Sequence, residues 1–362
     1  MTTESRGGKP DDGEKTERQA QMLANRLKKR ARHLGKWAKR VGAGAYRLYD
    51  RDIPEIPLAL DLYRDALTDA PSLCGALYER PYEKDEDEEA AWLDAMLDSA
   101  AQALGIERES VHVKLRRRQR GAAQYEKISG RGERAQVMEG GLKFLVNLSD
   151  YLDTGLFLDR RKMRAMVAAD SQGKRALNLF CYTASFSAHA AFDGAVSTDS
   201  VDLSNTYLAW ARDNFALNGF DARLIRREER FERGGTPNCA HALIRADAAA
   251  FLRDAARAKA RWDMIIADPP AFSNSAMAQD DFDLRRDHES LLASCASLLT
   301  PGGKLWFSAS ARSFKGTAGE LEAALARSLP GVAVSDISAK TADEDFKGRK
   351  TPKAFVIEAP RR

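Results

Sequence analysis

From Tyr151 onward, short apolar segments alternate with helical patterns, and this alternation limits the fold more than any other feature of the chain. Ala176–Phe180, Gly194–Val201, His241–Arg245, Trp262–Ala267, Lys304–Ser308 and Ala354–Ile357 are predicted strands. Strands separated by helices join one sheet through crossovers, so the sheet should be mostly parallel, with helices on both faces. An α/β, Rossmann-like domain over residues 150–362 is expected, with any ligand at the carboxyl ends of the strands.

The preceding residues read differently. Met1 to about Arg18 has almost nothing to bury and is expected to be a disordered tail. Leu23, Leu27, Leu34, Trp37 and Val41 then recur at spacings of four, seven, three and four. They predict an amphipathic helix over 19–44, surrounded by Arg26, Lys28, Lys29, Arg30, Arg32, Lys36, Lys39 and Arg40. Residues 45–149 combine strand candidates (Ala45–Leu48, Leu58–Tyr63, Ser110–Leu115, Leu142–Asn147) with one helix, Ala90–Ala103, and predict a small α+β subdomain.

Charge is segregated along the chain. The net is only +4, yet residues 1–50 hold thirteen Lys and Arg against six acidic residues. Lys114–Arg120 is another basic run, whereas Glu83–Glu89 is almost wholly acidic. Such segregation points to a polyanionic partner, usually nucleic acid. Gln124 and Tyr125 follow the basic run, and basic residues mixed with aromatics on a loop suit RNA. The candidate RNA contacts are Arg26, Lys29, Arg30, Lys36, Lys39 and Arg40 on the helix, with Arg116, Arg118 and Arg120 in the run. The competing reading is a solvated helix face and an ordinary basic strand.

Several classes are disfavoured. Cys74, Cys181, Cys239 and Cys295 stand far apart, which suggests neither a disulfide framework nor a zinc site. His33, His112, His189, His241 and His288 show no close ligand spacing, so no metal is expected. There is no run of about 18 apolar residues and no apolar signal core near Met1, so a cytoplasmic protein is expected.

The predicted strand ends carry the chemistry. The first runs into Asn178-Leu179-Phe180-Cys181-Tyr182-Thr183-Ala184-Ser185, a loop of mostly small residues before a helix, with Ala184 where glycine is normal. The next ends Val201-Asp202-Leu203-Ser204; an acidic residue about 20 positions after such a loop suits two ribose hydroxyls. Asp202 and Ser204 could instead both cap the helix Asn205–Leu217, which Asn218-Gly219 ends; Asp199, inside the strand, is the weaker ribose candidate. Ala246-Asp247-Ala248 follows the third strand, where a carboxylate could accept from an adenine amino group. Three carboxylates (Asp202, Asp247, Asp268) past successive strands describe an adenosine site beside a reaction site.

The reaction site is Asp268-Pro269-Pro270-Ala271-Phe272, directly after the strand Trp262–Ala267. Two prolines stiffen the loop, so it can aim the Asp268 carboxylate and nearby carbonyls at the edge of a base while Phe272 offers a stacking face. Asp-Pro-Pro-aromatic after a strand is the signature of methyltransferases acting on a ring-borne nitrogen; the bland reading is a strand-ending turn.

This set resembles the class I S-adenosylmethionine (SAM)-dependent methyltransferases. The segment Ser149–Arg161 (Ser-Asp-Tyr-Leu-Asp-Thr-Gly-Leu-Phe-Leu-Asp-Arg-Arg) is similar to the start of the catalytic domain in the C-terminal half of the bifunctional bacterial RlmKL family. Asp268–Ser275, Phe282–His288, Ala24–Leu27, Lys36–Lys39, Tyr46–Asp50 and Arg118–Gly121 match as well, and the likeness covers roughly 21–358. It implies guanine-N7 methylation of 23S ribosomal RNA, by a stand-alone enzyme without the THUMP and N2-guanine methyltransferase half. The implied cofactor residues are Asp159, Arg160, Asn178, Phe180, Tyr182, Thr183, Ala184, Asp202, Leu203, Asp247, Ala248 and Asp268, and the catalytic residues Asp268, Pro269, Pro270 and Phe272. The chain departs from the pattern at Ala184 and at Phe307–Ala311, where the family has Ser-Asn-Asn.

The nucleophile separates the competing products. Cytosine C5 needs a covalent cysteine, and related C5 enzymes carry it where this chain has Ala309; Cys181 is the one residual candidate. Guanine N7 has a free lone pair and needs no general base, so Asp268 would act electrostatically. An exocyclic amine (N2-guanine or N6-adenine) would use the same frame and stays open, as does a non-catalytic RNA-binding protein, which Ala184 alone favours. Asp283, Arg286, Asp287 and His288, just after the loop, read as an ion pair fixing it or as RNA contacts.

Overall fold

The computed structural model describes residues 12–78, 85–116, 132, 134–150, 153–231, 239–273, 281–311 and 314–361. The chain divides into two compact units, Met1–Gln119 and Arg120–Arg362.

The first unit opens with α1 (Asp12–Val41). It starts seven residues before the expected helix, so 12–18 are helical instead of tail. Docking of the helix also begins outside the apolar stripe: Gln19 accepts from the buried Trp92 indole at 2.6 Å, and the Ala20 carbonyl accepts from Ser99 at 2.8 Å. Leu23, Leu27, Leu34 and Trp37 then pack with Trp92, Met96 and Leu97 of α2 (Glu86–Leu104). The acidic run sits at the start of α2, where Asp85 caps two N–H groups and Glu86–Glu89 face the positive end of the helix dipole. Beneath lies a four-stranded sheet in the order β1 (Ala45–Asp50), β2 (Leu58–Arg64), β3 (Pro71–Tyr78), β4 (Val111–Arg116). β3 and β4 are parallel, joined by α2 as the crossover.

The second unit begins earlier than the expected boundary near Asp150, because the hairpin β5 (Arg134–Glu139) and β6 (Leu142–Asn147) belongs to it. Trp210, Asn214 and Asn218, four apart on α5 (Asn205–Leu217) and its cap, bond to the backbone of Leu145 and Lys143 at 2.7–3.0 Å. On the same hairpin Glu139 is buried. It accepts from both arms of Arg164 on α3 (Arg161–Ala169) at 2.6 and 2.8 Å, and lies 3.3 Å from His189 of α4 (Ser185–Phe192).

The main sheet has eight strands. β7 (Arg175–Leu179), β8 (Ser197–Asp202), β9 (Ala222–Ile225), β10 (His241–Arg245), β11 (Trp262–Ala267) and β14 (Leu299–Ala309) form its parallel part. β15 (Ala333–Asp336) and β16 (Lys353–Glu358) complete it antiparallel. The order is β15-β16-β14-β11-β7-β8-β10-β9. The helices α3, α4, α5, α6 (Ala248–Arg257), α7 (Leu284–Ser297) and α8 (Ala318–Ala326) lie between strands in the chain. The core of the sheet is as the alternation predicted, mostly parallel with helices between its strands, and it suits the class I fold that the resemblance implies. The order reverses between β7 and β11, so the crevice for a ligand opens at their carboxyl ends. Among the described residues no helix is long and apolar enough to cross a membrane.

Candidate active site

The loop after β7 is held in an unusual backbone shape. Phe180, Tyr182 and Ala184 have φ of 55°, 53° and 56°, and each left-handed L-residue costs about 1–2 kcal/mol. Surrounding groups over-determine the shape. Tyr182 N–H donates to Asp202 at 2.9 Å, Thr183 Oγ1 donates to the Gly155 carbonyl at 2.7 Å, and Asn214 Nδ2 donates to the Thr183 carbonyl at 3.1 Å. Ala184 is 0% exposed, so its small methyl suits this space, and a glycine would reach the same φ without the strain.

Asp202 ends β8 and lies 2.9 Å from the N–H groups of both Tyr182 and Ser204. Burial pushes its carboxyl up to about 6, against the pull of those bonds. A carboxylate offers about four lone-pair directions; the backbone N–H groups of Tyr182, Ser204 and Leu203 engage it, which leaves room for a ribose hydroxyl. Ser204, not Asp202, caps α5 through Tyr207 N–H at 3.3 Å. Asp199 is engaged elsewhere, by Arg230 at 2.7 and 2.8 Å and the Trp262 indole at 2.8 Å.

Further along the sheet edge, Leu203, Ala246 and Asp247 line a cleft of about 830 Å³. Asp247 caps α6 through Ala250 N–H at 2.8 Å with one oxygen, and the Ala248 side chain is buried in the core, so it does not line the cleft. Asn178 differs from expectation: it is buried and its amide donates to Ser187 at 2.9 Å, which ties β7 to α4 and turns the side chain inward.

Arg160 differs more. The residue is 5% exposed, and its guanidinium takes both oxygens of Asp268, through Nε at 2.8 Å and Nη2 at 2.9 Å. Nη1 donates to Asp159 at 2.9 Å, and Nη2 also donates to Ser310. Burial opposes its charge, but Asp159 and then Asp268 outweigh it, so Arg160 is held protonated. The expected cofactor residues Asp159 and Arg160 thus meet the reaction loop.

Pro269 is buried, whereas Phe272 is 45% exposed. Two short strands, β12 (Phe272–Ser273) and β13 (Phe282–Asp283), brace this loop, and Phe282 packs on Phe180 at 5.5 Å between centroids. Asp283 caps α7 and pairs with Arg285, while Asp287 accepts from Asp283 N–H at 2.8 Å and from Arg286 at 2.7 Å. These bonds hold the start of α7, directly after β13. His288 is turned to the Leu284 carbonyl at 3.0 Å and edge-on to Phe314.

Sequence reasoning missed Phe157, 40% exposed and packed on Tyr182 at 4.9 Å, as well as Asn214 and Ser310. The spacing of Trp210, Asn214 and Asn218 was a readable signal for Asn214; nothing local marks Ser310. Cys181 is a poor nucleophile, because burial, then Asp202, pushes its thiol well up.

On α1, Lys29, Lys36, Lys39 and Arg40 are exposed. Arg26 instead pairs with Asp52 at 2.7 Å, and Arg30 donates to the Leu48 carbonyl at 3.3 Å, so both tie the helix to its sheet. Arg118 and Arg120, like the side chain of Arg116, lie outside the described residues, as do Gln124 and Tyr125.

The sequence pattern defining the S-adenosylmethionine-dependent methyltransferases matches residues 65–332. The ribosomal RNA large subunit methyltransferase K of Neisseria meningitidis is 43% identical over 335 residues, covering 92% of this chain and 86% of that protein. The chain belongs to this methyltransferase family. A bifunctional relative, the ribosomal RNA large subunit methyltransferase K/L of Stutzerimonas stutzeri, is 47% identical over 327 residues. The match covers 90% of this chain, and the chain spans only 40% of that relative's length. Among solved structures, the methyltransferase SMU.776, crystallised with S-adenosylhomocysteine, superposes with a TM-score of 0.68 at 21% identity, over 94% of this chain and 82% of its own. A SAM-dependent methyltransferase from Agrobacterium tumefaciens gives 0.53 at 18% identity, over 84% and 88%. Those two structures bear on the fold. Family membership makes SAM the cofactor of this methyltransferase, and a partly free carboxylate at Asp202 beside a pre-shaped loop fits it.

Proposed function

We propose that this methyltransferase transfers the methyl group of SAM to N7 of a guanine in 23S ribosomal RNA, in the cytoplasm, on free RNA or on an assembling large subunit. The observation that carries the reading is the Asp268-Pro269-Pro270-Ala271-Phe272 turn beside the Asp202 loop, in a chain that matches the Neisseria K protein over nearly its whole length. Asp202 and the Phe180–Ala184 loop would hold ribose and methionine, and Leu203, Asp247 and the Ala248 backbone the adenine. The exposed Phe272 would stack on the target base, with Asp268 and the proline carbonyls at its edge.

Methyl transfer is an in-line displacement that needs alignment above all. N7 keeps its lone pair at neutral pH and releases no proton, so no base is required. Asp268 suits that chemistry: locked to a protonated Arg160, it can present negative charge but is poorly placed to take a proton. The exposed Lys29, Lys36, Lys39 and Arg40 would supply phosphate contacts. The same turn could seat an exocyclic amine, which is the second reading.

Nucleoside mass spectrometry of 23S RNA from cells with and without the gene tests both. Loss of one 7-methylguanosine is expected. Loss of a different methylated base would move the reading to the exocyclic amine, and an unchanged set would leave a binding protein.

A further inference from the structure

Asp159 and Arg160 precede α3, Asp268 follows β11 and Ser310 follows β14, and one guanidinium joins all of them. A buried guanidinium is stable only when its donors are matched, and a planar fork gripping both oxygens fixes the plane of a carboxylate as well as its place. Lysine, a point donor, cannot do this. The three charged groups sum to one net negative charge.

We propose that Arg160 is a positioning residue for methyl transfer. It aims the Asp268 carboxylate at the base and trims the local charge from two negatives to one. As the S–CH3 bond breaks and the N–CH3 bond forms, the sulfonium loses its positive charge and the base gains it. The residual negative charge lies beside that migration and stabilises its end point. The inference rests on Asp268 facing the base, and it removes Arg160 from the cofactor contacts where the resemblance put it.

The test follows tritium from labelled SAM into bulk large-subunit RNA for the wild type, Arg160→Gln, Arg160→Lys and Ser310→Ala, with SAM affinity by calorimetry. Arg160→Gln should lose about a hundredfold in kcat, the scale of a lost electrostatic contact, and keep SAM affinity within about threefold. Arg160→Lys should recover less than about a tenth of wild-type turnover, and added guanidinium at millimolar concentration should partly rescue Arg160→Gln. Ser310→Ala, which leaves both carboxylates paired, should lower kcat by about three- to tenfold with SAM affinity unchanged, and serves where the Gln variant fails to fold. SAM affinity falling in step with turnover would return Arg160 to the cofactor site. Turnover within about threefold of wild type in both Arg160→Gln and Ser310→Ala would remove its role. Incorporation is counted whichever base carries the methyl, so a wrong choice of guanine N7 leaves the comparison standing. No incorporation by the wild type would overturn the RNA reading itself.

Discussion

Asp202 binds the backbone N–H of Tyr182 at 2.9 Å, so the residue expected to hold the ribose also shapes the loop expected to hold the methionine. Burial raises its pKa to about 6 in the free protein. Hydroxyl donors favour the ionised form, so binding SAM should lower that pKa and release a proton below pH 6. Affinity should be full above about pH 7 and fall about tenfold per unit below pH 6. For the free protein the sign is opposite: the fold binds the proton more tightly than the unfolded chain, and stability from this group rises as pH falls from about 6 toward 3.8. Calorimetry from pH 5 to 8 checks the first effect, and Asp202→Asn should weaken binding and flatten its pH dependence.

Asp268→Asn and Asp268→Ala should both keep SAM affinity and lose about 10²–10³ in kcat. Only the alanine variant removes both acceptors that Asp268 gives to Arg160, so it should also unfold at lower urea, by about 3 kcal/mol. Stability of the alanine variant equal to that of the wild type would show that the bidentate pair adds nothing to the fold.

Glu139→Gln leaves Arg164 buried without its partner. We expect a loss of about 3–5 kcal/mol. At about 2–4 °C per kcal/mol for a unit of this size, Tm should fall by about 10 °C, read by calorimetry on the cofactor-free protein.

Ala184 is strained at φ 56°. Ala184→Gly relieves the strain but loosens the unfolded chain, and the two effects nearly cancel, leaving stability within about 1 kcal/mol. Ala184→Val should cost more than about 2 kcal/mol, because the site is full and a branched side chain resists positive φ. Urea unfolding separates the two.

Changing Lys29, Lys36, Lys39 and Arg40 to Gln should reduce the salt slope of RNA binding by up to about 3 if all four touch phosphate, at about 0.7 per contact on single strands. Arg26→Gln should leave the slope unchanged and weaken the fold, since Arg26 pairs with Asp52. Filter binding across a salt series distinguishes them.

Buried elements were the most legible in the sequence. His241–Arg245 and Trp262–Ala267 are strands residue for residue, because strands covered on both faces are continuous apolar runs. β9 and β15 escaped notice: both are four-residue edge strands that are largely exposed, too short to show a pattern. β5 was hidden because its buried end is Glu139, whose partners lie on other elements. In the site, Asp202, Asp247 and Asp268 were legible from their place after strands. The Arg160–Asp268 fork was not, for its partners stand 108 residues apart and no local spacing joins them.

Trp210, Asn214 and Asn218 meet the outer edge of β6 where another strand would lie. A helix here finishes a ladder. An unfinished ladder is a template on which a second molecule can add its own strand. The three side chains that seat the hairpin therefore also keep the protein from recruiting copies of itself, and weakening them would be felt in solubility before it was felt in turnover.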